Sequence, residues 1–193
     1  MIIITSCPRS GTGFMAKLFT FAGIPCGHEQ IYGFGEGHKV LYPKADSSFM
    51  AVPFLKRHKE ILHIVREPLK VVSSLWAMKG LELEYVDKYM GFVFDNLPSL
   101  HDYEGLERYM HFYIEWNKKI EEHTDNRYRL EDICKDKKGF ISQFIEPKAI
   151  YEEEDYNSLK SRTGQAPTQL KLKDMPKGKI KNEFIKLTKK YGY

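Results

Sequence analysis

The 193-residue sequence predicts an α/β fold of three layers, a short central parallel β-sheet flanked by helices, and three observations carry that expectation. The opening "MIIIT" is a β-branched run of the kind that fills a buried parallel strand. A glycine-containing loop then leads into helical spacing, Phe14, Met15, Leu18, Phe19 and Ala22, which stops at Gly23, a suitable residue just past a helix C-terminus. "EILHIV", residues 60–65, repeats the arrangement as a second buried strand, with Pro68 at a first helical position and "LKVVSSLWAM" continuing as a helix.

The other elements follow in chain order. Residues 27–45 are glycine-rich and read as an irregular surface loop over a site. Asp46 or Ser47 can cap a short helix through "SSFMAVPFLKR", which Pro53 must kink or shorten. Across residues 103–121, Leu106, Met110, Tyr113, Trp116 or Asn117, and Ile120 recur at helical spacing, so Trp116 is expected in the core. "RYRLEDI" reads as a third strand entering a helix and "GFISQFIE" as another short helix. Residues 151–177 read as loop and "KIKNEFIKLTKKY" as a terminal helix. No internal repeat or boundary divides the chain, and one domain over residues 1–193 is expected.

Composition narrows the function classes. Hydrophobic residues at 42% and charged residues at 29% exclude a disordered chain. The longest apolar runs fall well short of the ~20 residues that span a bilayer. The first residues lack the pattern of a secretion signal, and Cys7, Cys26 and Cys134 form no pairing pattern, which together predict a reducing, cytoplasmic setting. The net charge of +4 is uneven, because residues 160–190 hold many lysines and few acids. That segment reads either as solvated surface or as a basic rim for an anionic ligand. No clustered His/Cys set suggests a metal.

The stretch "TSCPRSGTGFMAKLF", residues 5–19, looks like a phosphate-binding loop without its lysine. A nucleotide loop ordinarily ends Gly-Lys-Ser/Thr, the lysine serving the outer phosphates. Here Gly11 and Gly13 have no lysine after them before Lys17, and Arg9 is the cation inside the loop. A strand, a glycine loop and a helix N-terminus gather backbone N–H groups and a positive dipole end around one concavity, which makes an anion site. Gly11 and Gly13 let backbone approach closely, Ser10 and Thr12 add hydroxyls, and Arg9 adds a forked, permanent charge. A tyrosine-phosphatase loop is excluded, since counting from Cys7 places Gly13 where its arginine should stand.

A second constellation, "HIVREPLKVVSSLW", residues 63–76, puts Arg66 at a strand end and Ser74 eight residues on, within a helix. Both constellations fall at carboxyl ends of candidate parallel strands, where open α/β sheets bind ligands.

With these residues in view, the sequence resembles the sulfotransferases that use 3′-phosphoadenosine 5′-phosphosulfate (PAPS). "CPRSGTGFMAKLF" looks like their 5′-phosphosulfate loop, and "REPLKVVSSLW" like their 3′-phosphate segment, an arginine followed eight residues later by serine, here Arg66 and Ser74. "YRLEDI" is similar to a downstream strand and acidic turn of that family. The likeness covers roughly residues 1–30 and 60–80 and is loose elsewhere. It implies a P-loop-like α/β fold and sulfuryl transfer from PAPS to a hydroxyl or amine, with 3′-phosphoadenosine 5′-phosphate (PAP) as product and no metal. The acceptor would be a small molecule or a carbohydrate, and no nucleic-acid partner is expected.

The resemblance also assigns roles. Arg9 would hydrogen-bond the bridging oxygen as charge develops there. Ser10, Gly11, Thr12, Gly13, Arg66 and Ser74 would hold the nucleotide, with Lys160 and Arg162 of "LKSRTGQ" as candidates to close over it. The acceptor proton needs a base. "GIPCGHEQIY" offers Glu29, then His28, with His38 further on, and Glu29 matches the early glutamate of the family in placement. Two other readings stand beside this one. A small P-loop nucleotide kinase would need the missing lysine and an acid for Mg²⁺ where Arg66 stands. A non-catalytic nucleic-acid-binding module would use the tail lysines and tyrosines but leaves Arg9 and Arg66 unexplained.

Overall fold

The computed structural model describes residues 1–82, 87–145, 156, 159 and 170–193. Its centre is a five-stranded, all-parallel sheet in the order β2-β3-β1-β4-β5. The strands are β1 (Ile2–Thr5), β2 (Cys26–His28), β3 (Ala45–Ser47), β4 (Ile61–Val65) and β5 (Arg127–Arg129). Helices flank it as α1 (Thr12–Phe21), α2 (Pro68–Met78), α3 (Lys88–Asn96), α4 (Gly105–Glu121), α5 (Leu130–Lys135), α6 (Lys137–Ile141) and α7 (Lys179–Lys190). The expected three-layer α/β architecture is therefore the observed one.

Alternation along the central strands builds the layers. In β1, Ile3 and Ile4 are both fully buried but belong to separate cores. Ile4 joins Leu62 and Ile64 against α1, α5 and α6. Ile3 joins Ile61 and Val65 against α2, α4, α7 and the segment Phe49–Arg57. Adjacent side chains on a strand point to opposite faces, so an unbroken apolar run serves two cores at once. Right-handed crossovers travelling in opposite directions across a sheet lie on opposite faces. Accordingly α1, joining β1 to β2, covers the Ile4 face, whereas the segment joining β3 to β4 covers the Ile3 face.

Several local readings hold in detail. Gly23 follows α1 with φ 89°, and the N–H groups of Gly23 and Ile24 return to the carbonyls of Thr20 and Phe19, closing the helix end. Pro68 opens α2, where its missing N–H costs nothing. Trp116 is completely buried among Phe49, Phe92 and Phe112, with Met110, Tyr113 and Ile120 in the same core.

Others are corrected. Residues 27–45 are not loop throughout, because β2 and β3 form their two ends, and "RYR" is thus the fifth strand rather than the third. Both missed strands are three residues long and carry Gly27, Asp46 and Ser47, residues that single-strand preferences disfavour. Pairing on β1 overrides the preference, through Ile3 with Asp46 and Ile4 with Ser47. The cap is therefore Ser48, whose hydroxyl accepts from the Met50 N–H, and the segment it opens is a 3₁₀ helix containing Pro53. The helix expected in "GFISQFIE" ends at Ile141. Most of residues 151–177, with Lys160 and Arg162, lies outside the described residues.

Candidate functional site

Because every strand is parallel, all five carboxyl ends share one edge of the sheet. β1 is the switch point there, flanked by β3 on one side and β4 on the other, and the loop Ser6–Gly11 emerges from it. Gly11 precedes α1 with φ 102°, in the left-handed region. A Cβ on Gly11 would lie 2.7 Å from Leu130 Cδ2, so Leu130 at the start of α5 packs directly beneath the loop. No side chain caps the first turn of α1, which leaves the N–H groups and the dipole end of a ten-residue helix available to an anion. Thr12 and Ser10 are buried in the loop. Lys17 is exposed on α1, and Cys7 is fully buried, burial pushing its thiol well above the usual range. Cys7 is thus a core residue rather than a nucleophile.

The two motifs interlock. Arg9 Nε donates to Ser74 Oγ at 3.0 Å, and Arg66 Nη1 donates to the Arg9 carbonyl at 2.9 Å. Arg66 follows β4 and is only 9% exposed, and burial lowers its pKa against the opposing pull of Glu131. Its own carbonyl accepts from the Tyr113 hydroxyl of α4 at 3.2 Å. Glu131 also accepts from the Glu67 N–H at 3.1 Å and from the Tyr193 hydroxyl. As acceptor from Arg9, Ser74 keeps its own O–H free to donate. Arg9, Arg66 and Ser74, read from two separate stretches of sequence, form one cationic cluster at the lip of the loop.

The other flank holds the candidate bases. His28 ends β2, its Nε2 3.1 Å from Thr12 Oγ1 and 3.9 Å from Glu29 Oε1. Burial lowers the His28 pKa and keeps the ring neutral near pH 7. Glu29 is 9% exposed, and burial raises its carboxyl above the ordinary value while a hydrogen bond from Tyr89 acts in the other direction. His38 is connected through its carbonyl, which accepts from the His28 N–H at 2.8 Å.

Backbone strain falls on the same two candidates. Arg9 (φ 71°) and Glu29 (φ 53°) are two of the four described non-glycine residues with positive φ. Each costs on the order of 1 kcal/mol or more, and neighbouring bonds must hold it. For Arg9 the clamp is Arg66. For Glu29 it includes its N–H to the Ser47 carbonyl at 3.2 Å and the fully buried Asp46, whose carboxylate takes the N–H groups of Gln30, Ile31 and Tyr32 at 3.1, 3.3 and 3.1 Å. Gly33 completes the turn, since a Cβ there would stand 2.4 Å from the Glu29 carbonyl oxygen.

Sequence reasoning missed Asp46 in this role, along with Tyr89, Tyr113 and Glu131. Asp46 carried a signal, a lone acid beside an alanine ahead of a buried segment, but it was read as a helix cap. Tyr89 and Tyr113 lie on distant helices, whereas Glu131 stands in the acidic turn of "YRLEDI" that directly follows β5. A cavity of about 150 Å³ lined by Val52, Pro53, Asn96, Lys119, Glu122 and His123 lies near the opposite edge, where Thr124 Oγ1 bonds the carbonyl of Ile61 at the start of β4. It shares no residue with the loop. Among the described residues no helix is long and apolar enough to cross a membrane.

Comparison of the chain with family models, curated proteins and solved structures finds no match.

Proposed function

We propose that the protein is a sulfotransferase that transfers the sulfuryl group of PAPS to a hydroxyl or amine acceptor. The observation that carries this reading is the bonded chain Ser74–Arg9–Arg66, which joins the lysine-free glycine loop to the β4–α2 segment as one anion site. A donor with a 5′-phosphosulfate and a separate 3′-phosphate needs two anion-binding contacts, and no lysine for a chain of outer phosphates. The residues fit such a ligand, with the helix N-terminus and Thr12 toward one group and Arg66 with the Ser74 O–H toward the other.

PAPS supplies an activated sulfuryl group whose S–O bond to phosphate breaks as the acceptor attacks. Arg9 donates to the oxygen that gains charge as that bond lengthens, an interaction stronger in the transition state than before it. Glu29 takes the acceptor's proton, and its burial-raised pKa brings the carboxylate nearer to that task at neutral pH. Neutral His28, between Thr12 and Glu29, orients the pair toward the loop. The acceptor lies on the β2 side, as a small molecule or a carbohydrate.

Calorimetric titration with PAP, ADP and ATP–Mg²⁺ tests the reading. Binding of PAP in preference to both others, weakened about 100-fold in Arg66→Ala by loss of charge-assisted bonds, is expected. Equal or tighter binding of ATP–Mg²⁺ overturns it in favour of a kinase.

A further inference from the structure

Arg66 leaves β4 through a peptide unit that is held at both ends. Its carbonyl accepts from the Tyr113 hydroxyl of α4 at 3.2 Å, and the N–H of the same unit, on Glu67, donates to Glu131 Oε1 at 3.1 Å. Glu67, at φ −43° and ψ 115°, stands between the end of β4 and the start of α2, so side chains rather than a strand ladder hold this plane. The other carboxylate oxygen, Glu131 Oε2, accepts from the Tyr193 hydroxyl, which also stands 3.5 Å from the Val65 carbonyl.

Tyr193 is itself fixed. Gly192 turns the chain after α7 with φ 76°, the Tyr193 N–H donates to the Thr188 carbonyl at 3.1 Å, and the Arg129 guanidinium lies over the ring at 4.2 Å. Strand pairing sets Arg129 beside Val65, so the ring rests at the exit of β4. α7 is seated in turn on α4, where Phe184 meets Tyr113 edge-on at 5.7 Å. Leu130, one residue before Glu131, packs beneath Gly11, and the start of α5 thus touches both halves of the anion site.

We propose that Tyr193 is a positioning residue for the anion site, fixing through Glu131 the peptide plane from which Arg66 extends. Its service to nucleotide binding rests on the sulfuryl-transfer reading, whereas the clamp itself does not. A carboxylate bonded at both oxygens keeps one orientation, and with Oε2 released it can rotate away from the Glu67 N–H. A small rotation of that plane is magnified at the end of a long side chain. Arg66 must meet the Arg9 carbonyl, 2.9 Å away, and an incoming anion with the same rigid fork.

Tyr193→Phe keeps the ring under Arg129 and removes the hydroxyl alone. In the ligand-free full chain, amide hydrogen exchange followed by NMR should show the Glu67 N–H exchanging about tenfold faster relative to the Ile3 N–H, which bonds the Glu60 carbonyl and reports general opening. Calorimetry should show PAP binding about fivefold more weakly to Tyr193→Phe, the part of a charge-assisted bond that reaches Arg66. In the Arg66→Ala background the same substitution should alter PAP affinity by less than about twofold, because the group it positions is gone. A tyrosine that only stabilised the fold would speed Glu67 and Ile3 together and cost the same factor in both backgrounds. Either of those results, or a Glu67 amide unmoved relative to Ile3, overturns the proposal. Failure of PAP to bind the parent chain strikes the proposed function and leaves the exchange ratio to judge the clamp.

Discussion

On the β4 side of the glycine loop, Arg9, Arg66 and Ser74 hold one another through bonds within two short stretches of chain. On the β2 side, the turn at Glu29 depends on Asp46 and Ser47 of β3, which reach it from a separate part of the sequence. The first flank places fixed positive charge where backbone ends converge. The second holds a titratable carboxylate whose pKa burial raises. Under the proposed function, binding falls to one flank and proton transfer to the other.

The largest expected effect separates those two tasks. Glu29→Gln should lower turnover about 10²- to 10⁴-fold, the usual worth of a general base, while PAP affinity stays within about twofold. Kinetics paired with calorimetry check it, and a matching loss of nucleotide affinity would erase the division between flanks. The rate of the parent should fall as Glu29 takes up a proton below its raised pKa, and that acidic limb should vanish in this variant.

A middle-sized effect tests whether the β2 flank is built from β3. Asp46→Asn removes a charge from a fully buried carboxylate that accepts three N–H groups. A loss of about 2 kcal/mol of stability is expected in urea denaturation. Turnover should fall more than PAP affinity in the same variant. An unchanged unfolding midpoint would remove Asp46 from its place as the clamp on Glu29.

The smallest effect sharpens the picture of the β4 flank. Ser74→Ala deletes one neutral hydroxyl and should weaken PAP binding about fivefold, on the order of 1 kcal/mol. Arg9 loses its partner at the same time, so turnover should change with it. Calorimetry and steady-state rates read both, and a 100-fold loss of affinity would mean that Ser74, rather than Arg66, anchors this side.

The legibility of the two flanks differs for a physical reason. "PRSGTG" and the Arg66–Ser74 spacing are local, because a strand end, a turn and a helix start fix side chains that lie within a few residues of one another. Chain-adjacent His28 and Glu29 were visible for the same reason. Asp46 was misread because a three-residue strand has too little sequence to announce itself, and its place depends on pairing with β1.

The sequence by itself determined the β-branched central strands, the glycine turn into α1, the proline start of α2 and the apolar stripe of α4, since each follows from the preferences of neighbouring residues. Tertiary structure alone decided the order β2-β3-β1-β4-β5 and the burial of Asp46 beneath the Glu29 turn. Those depend on long-range contacts, whose energies arise from burial and hydrogen bonds that exist only once separate elements have packed.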